Sequence, residues 1–158
     1  MKLSEILSQH QIKLNLDAED KIEAIEELVD LLISEHEVSL SDRDTILDVV
    51  LKRESSISTG IGENVAIPHG TVECIDDIIG AIGISENGIN FDSFDGLPVY
   101  IVLLLLVPKD KFGKHIKTLA NIARILHNKE IRERICTAGS SGVVMKIITD
   151  TENEIPAD

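Results

Sequence analysis

The segment Ser58-Thr59-Gly60-Ile61-Gly62-Glu63-Asn64-Val65-Ala66-Ile67-Pro68-His69-Gly70 places one imidazole at the end of a glycine-punctuated loop. Pro68 fixes its own φ and drives Ile67 towards an extended backbone, so His69 is carried on a stiff approach. Gly60 and Gly62 permit a tight turn that brings bare N–H groups towards an anion. Gly70 omits the next side chain, so a visiting molecule is expected to reach the ring. A neutral imidazole offers a lone pair without a separate base, which makes His69 a candidate nucleophile.

Three further residues join it as candidates. His115 falls in the first turn of a predicted helix, four residues before Leu119 on the apolar stripe. A helix start carries unpaired N–H groups and the positive end of the dipole, which favours a bound phosphate and disfavours a charged imidazole. Arg53 ends another predicted helix on the line of Ile46, Val49 and Val50 and leads into the His69 loop. Its planar fork of donors suits phosphoryl oxygens, although dipole complementation is an ordinary role for a terminal arginine. Glu63 lies between the second loop glycine and His69, placed either to orient the ring or to receive a basic partner. His10, His36 and His127 have no constellation around them and are expected at the surface.

An imidazole nucleophile, a second histidine at a helix start and an inward arginine together point to phosphoryl transfer. Such chemistry asks mainly for positioning and charge stabilisation. No Walker loop is present and no acidic cluster suits Mg²⁺, so a donor protein is expected rather than ATP. A metal hydrolase built on His69, His115 and Glu63 is the competing enzyme, but no H-E-x-x-H spacing supports it. No metal and no cofactor are expected.

The elements that must hold these residues follow from periodicity. Residues 3–8 open as a short helix and 11–16 alternate like a strand. Asp17 is placed to cap a helix to about Glu35, with Ile22, Ile25, Leu28 and Leu32 as its stripe. Ser41 is placed to cap a second helix. Ile78–Ser85 and Ile89–Phe91 flank Glu86-Asn87-Gly88, a hairpin signal. Leu97–Val107 reads as a buried central strand. Helices are expected over 114–127, 129–137 and 141–148, then a polar, acidic and frayed end from Thr149. The pattern is that of a single α/β domain with a mixed sheet.

Composition narrows the partners. The 158 residues are 43% hydrophobic and 27% charged, as in a globular domain. A net charge of −13 and only 3% aromatics exclude general nucleic-acid and anionic-membrane binding. The chain nevertheless concentrates 8 basic and 3 acidic residues in 109–134, while 1–50 holds 13 acidic and 4 basic. No leader is evident, and the longest apolar run is too short to span a membrane, so a cytoplasmic protein is expected. Cys74 and Cys136 form no C-x-x-C motif; buried free thiols are expected, with a pairing between them left open.

The Gly-x-Gly…Ala-Ile-Pro-His-Gly pattern resembles the active-site segment of the fructose/mannitol-type enzyme IIA domains of the bacterial phosphoenolpyruvate-dependent phosphotransferase system (PTS). The likeness runs over nearly the whole chain. It implies a mixed sheet of about five strands flanked by helices and an EIIA type-2 domain over 1–150, and the polar, acidic composition of 151–158 marks a flexible tail. It implies that His69 accepts phosphate from an HPr-like phosphocarrier, with His115 beside it and Arg53 and Glu63 in the same site. Leu105-Leu106-Val107-Pro108, Lys114–Leu119 and Ile147–Glu152 resemble the nitrogen-related regulatory branch, in which phosphorylation changes binding to a downstream regulated protein. A sugar-specific IIA passing phosphate to a IIB component is the alternative. A scaffold that binds without phosphorylation is a third reading, which the presence of all four site residues disfavours.

Overall fold

A computed structural model describes residues 2–154, except for the side chains of Phe112 and Lys114. The chain opens with a short helix α1 (Leu3–Ile6) and a two-residue strand β1 (Ile12–Lys13), much shorter than the alternation over 11–16 predicts. Leu16 still donates its N–H to the Ile84 carbonyl at 2.8 Å, so the extended path continues past the strand. Helix α2 (Lys21–Ser34) is capped three residues beyond the expected Asp17. Asp20 takes that role by accepting the Glu23 N–H at 2.8 Å. Asp17 instead donates its own N–H to Glu27. The buried stripe is Ala24, Ile25, Leu28, Val29 and Leu32, while Ile22, expected on it, is half exposed.

Helix α3 (Arg43–Ser56) follows a single 3₁₀ turn over Leu40–Asp42. That turn displaces the expected Ser41 cap: Asp42 precedes the helix without a side-chain bond, and Ser41 donates its N–H to Ser39. Three short strands come next, β2 (Gly60–Gly62), β3 (Val65–Ala66) and β4 (His69–Val72). Two long ones follow, β5 (Ile79–Ile89) and β6 (Val99–Pro108). The expected hairpin at Glu86-Asn87-Gly88 is not a chain reversal. β5 runs through it with a register irregularity between Ile84 and Ile89, Gly88 at φ +84° and its N–H on Ser85 Oγ. The Asn-Gly pair therefore serves a bulge, and the reversal falls in residues 90–98.

The sheet order is β1-β5-β6-β3-β2, with β4 also on β6. β5 and β6 are antiparallel, whereas β3 and β4 lie parallel to β6 one after the other. The sheet is mixed, as expected, with six strands. β6 is central because both of its faces are apolar. Ile101, Leu103, Leu105 and Val107 enter one core, and Val102, Leu104 and Leu106 enter the other. Each such side chain, withdrawn fully from water, contributes about 1.5–3 kcal/mol.

Helices α2 and α3 cover one face of the sheet. Helices α4 (Phe112–Leu126), α5 (Lys129–Cys136) and α6 (Ser141–Glu154) cover the other with α1. Helix α6 continues through the segment expected to fray from Thr149. Thr151 and Glu152 are buried, and the Glu152 carboxylate accepts the Leu3 and Ser4 N–H groups at 2.6 and 2.9 Å. The start of the chain supplies those donors, so no local pattern announces them. Residues 155–158 of the expected tail lie outside the described residues. Cys74 and Cys136 are free, as expected, but both are exposed. No helix among the described residues is long and apolar enough to cross a membrane.

Candidate active site

β3 and β4 meet β6 on the same side, separated by Ile67 and Pro68. Pro68 cannot donate to the ladder, but its carbonyl accepts the Leu105 N–H at 3.0 Å, so the break stays anchored to β6. His69 opens β4, in register with Leu105. Its ring is half buried, with Nδ1 2.9 Å from the Ile67 carbonyl oxygen. A carbonyl only accepts, so Nδ1 carries the proton and Nε2 keeps its lone pair. Burial lowers the His69 pKa from its ordinary value. The Ile67 bond opposes that, Arg53 lowers it further and Glu54 raises it.

His115 sits in the first turn of α4, and its backbone N–H is satisfied by the Lys111 carbonyl at 3.1 Å. The imidazole is buried, and its centroid lies 5.0 Å from that of His69. Burial lowers its pKa first, then the neighbouring His69 and Arg53. Arg53 comes from the last turn of α3 and donates from Nη1 to the Ile57 carbonyl at 2.8 Å. Its charge is felt at both imidazoles. The structure therefore brings Arg53, His69 and His115 together from α3, β4 and α4.

Glu63 is placed differently. Its carboxylate lies 3.2 Å from Arg132 Nη1 and 3.2 Å from His127 Nδ1. It thus receives a basic partner rather than orienting the His69 ring. Arg132 Nη1 also donates to the Leu126 and His127 carbonyls at 2.7 Å, so this cluster ties the β2–β3 turn to the α4–α5 junction. His127, expected to stand alone, belongs to it. Among the described residues no group of three or more His, Cys, Asp or Glu side chains could hold a metal ion.

The loop glycines serve packing. A Cβ on Gly60 would fall 2.2 Å from Ser93 Oγ, and one on Gly62, at φ +88°, would fall 2.8 Å from Phe94 Cε1. Gly60 donates its N–H to Ser58 Oγ at 3.0 Å, and Glu63 donates to Asp95 at 2.9 Å. These N–H groups are engaged within the protein, contrary to the expected anion cradle. Gly70 admits α3 rather than a visitor: a Cβ there would meet Val49 Cγ1 at 2.8 Å.

Sequence reasoning missed Glu54 and Thr59. Glu54 is buried beside the site, with Thr59 donating to it from both N and Oγ1. A signal was present. Ile46, Val50 and Glu54 follow at four-residue steps, which puts a carboxylate on the apolar line and leaves Arg53 at its edge.

Residues 5–151 match the family model described as the phosphoenolpyruvate-dependent sugar phosphotransferase system, EIIA 2. The chain is 35% identical over 155 residues to the nitrogen regulatory protein of Escherichia coli K12, covering 96% of this chain and 92% of that one. It is 34% identical over 148 residues to the fructose-specific EIIABC component of Bacillus subtilis, covering 94% of this chain but only 23% of that relative's length. The crystal structure of the nitrogen regulatory protein IIA-Ntr from Neisseria meningitidis superposes with a TM-score of 0.85 at 35% identity, over 92% of this chain and 98% of that one. With a matching family model over nearly its full length and the same fold as IIA-Ntr, the chain belongs to the EIIA type 2 family of the phosphoenolpyruvate-dependent sugar phosphotransferase system.

Proposed function

We propose that His69 accepts a phosphoryl group on Nε2 from the phosphohistidine of an HPr-like carrier, and that this chain is a regulatory component of a nitrogen-related phosphorelay. The observation that carries the reading is the Nδ1 contact to the Ile67 carbonyl, which leaves Nε2 as the nucleophile. In the transfer the Nε2 lone pair forms the new N–P bond while the donor N–P bond breaks, its electron pair returning to the donor imidazole. The His69 ring gains positive charge as it is phosphorylated, and the Ile67 carbonyl stabilises the Nδ1–H that bears part of it. Arg53 offsets charge on the phosphoryl oxygens, and the neutral His115 beside it contributes a further polar contact.

Similarity to nitrogen regulatory proteins supports the regulatory role. There the charge of the phosphoryl group changes which surface the downstream protein recognises. The similarity to a fructose-specific relative keeps one second reading, transfer onward to a IIB component. Either role fits a cytoplasmic setting, where phosphocarriers act.

Intact-mass measurement with phosphoenolpyruvate, enzyme I and a phosphocarrier tests the proposal. Wild type should gain one acid-labile phosphoryl group, and His69→Ala should gain none. Phosphorylation of His69→Ala would overturn the assignment. Loss of the group to an added IIB protein would favour the transport role, and its retention would favour regulation.

A further inference from the structure

We propose that Glu54 is a positioning residue for His69, acting through Thr59 and Ile67 to set which ring nitrogen is left unprotonated. Glu54 is 3% exposed, and a carboxylate withdrawn from water must be matched by donors. Thr59 supplies them. Its N–H lies 3.1 Å from Oε1 and its Oγ1–H 2.5 Å from Oε2. Lys21 Nζ stands 3.9 Å from Oε1.

Thr59 is itself buried, and its carbonyl accepts the Ile67 N–H at 3.0 Å. The Ile67 carbonyl in turn accepts from His69 Nδ1 at 2.9 Å. Three consecutive links therefore run from the end of α3 to the imidazole. They cross the β3–β4 break, where the Ile67 carbonyl leaves the β6 ladder and is turned to the ring. Pro68 limits the backbone freedom of Ile67, and the Thr59 bond selects its orientation within that limit. A half-buried neutral imidazole without this acceptor is free to place its proton on Nε2, where it blocks attack. Glu54 is thus held in the core for tautomer selection as well as for packing.

The proposal deepens the reading of His69 as phosphoryl acceptor, and only its kinetic arm rests on that reading. The test uses the full ¹⁵N-labelled chain as wild type, Glu54→Gln, Thr59→Val and Thr59→Ser. Long-range ¹H–¹⁵N spectra report the His69 tautomer, and transfer from a phosphorylated carrier reports the rate. Wild type and Thr59→Ser should hold the Nδ1–H form. Glu54→Gln should populate the Nε2–H form and slow transfer about tenfold or more, the scale of a small misplacement of the nucleophile. Thr59→Val, which keeps the Thr59 N–H, should shift both readouts the same way by less. It also carries the test if Glu54→Gln does not fold.

If Thr59→Val and any folded Glu54→Gln keep the Nδ1–H form, with rates within about twofold of wild type, the proposal is overturned. If the tautomer shifts while even wild type takes no phosphate, the Glu54 relay stands and the acceptor reading falls.

Discussion

The imidazoles of His69 and His115 stand 5.0 Å apart, centroid to centroid, with their planes inclined by 48°. One ring lies on the first residue of β4, in register with Leu105 towards the end of β6, and the other in the first turn of α4, the helix that follows β6. This closeness makes charge on either ring costly to the other, and it places a second polar group where phosphoryl charge would develop. His115→Ala should therefore slow phosphorylation of His69 on the order of 100-fold, as the loss of one preorganised contact does, without abolishing it. Single-turnover transfer followed by intact mass measures this. A wild-type rate would remove His115 from the reaction.

Both imidazoles have pKa values below the ordinary 6.5, with burial as the leading cause. Between that value and the lowered ones the unfolded chain binds more protons than the folded chain. Stability should thus be flat above pH 6.5, fall as pH drops from there through the lowered values, and level off below them. Urea unfolding across this range in wild type and His115→Gln checks the sign; the variant should show the shallower fall. Transfer should rise with pH through the lowered His69 value and be level at neutrality, because the neutral ring is the nucleophile. An acid limb centred above the ordinary value would contradict this.

Gly70→Ala should destabilise the fold by about 1–3 kcal/mol, the usual cost of overpacking. The new Cβ would lie 2.8 Å from Val49 Cγ1 and 3.1 Å from Val50 Cγ2, against a helix that also supplies Arg53. Val49→Ala in the same chain should recover part of the loss, and chemical denaturation of the single and double variants would measure it. Additive losses would show that the strain lies elsewhere.

Glu63→Gln should leave the transfer rate within about twofold of wild type. The charges that bear on His69 are those of Arg53 and Glu54, whereas Glu63 is engaged by Arg132 and His127. Its contact with Arg132 opens to solvent on the Glu63 side and contributes about 1 kcal/mol, so stability should fall only slightly and less so at high salt. A tenfold slower transfer with unchanged stability would show that Glu63 acts in the transfer itself.

What could be read from the residues alone was what lies within a few positions along the chain. Pro68 and Gly70 around His69 constrain the backbone locally, and the helical period marked α3 and α4. The apolar run before Pro108 could only be a strand buried on both faces. Those signals were enough for a mixed α/β domain and to nominate His69, His115, Arg53 and Glu63 as candidates, of which the fold brings the first three together.

Partnership was decided by the tertiary structure. Glu63 meets Arg132 across 69 residues, and Glu152 meets Leu3 across 149. The glycines near the site yield to Ser93, Phe94 and Val49, which sequence proximity does not reveal. The Asn-Gly signal was real, but β5 and β6 continued their pairing across it and made it a bulge. A backbone angle or an apolar period is imposed by neighbours in sequence. Which donor satisfies a buried carboxylate, and which side chain fills the space above a glycine, depends on surfaces that meet only when the sheet and its two helical layers close together.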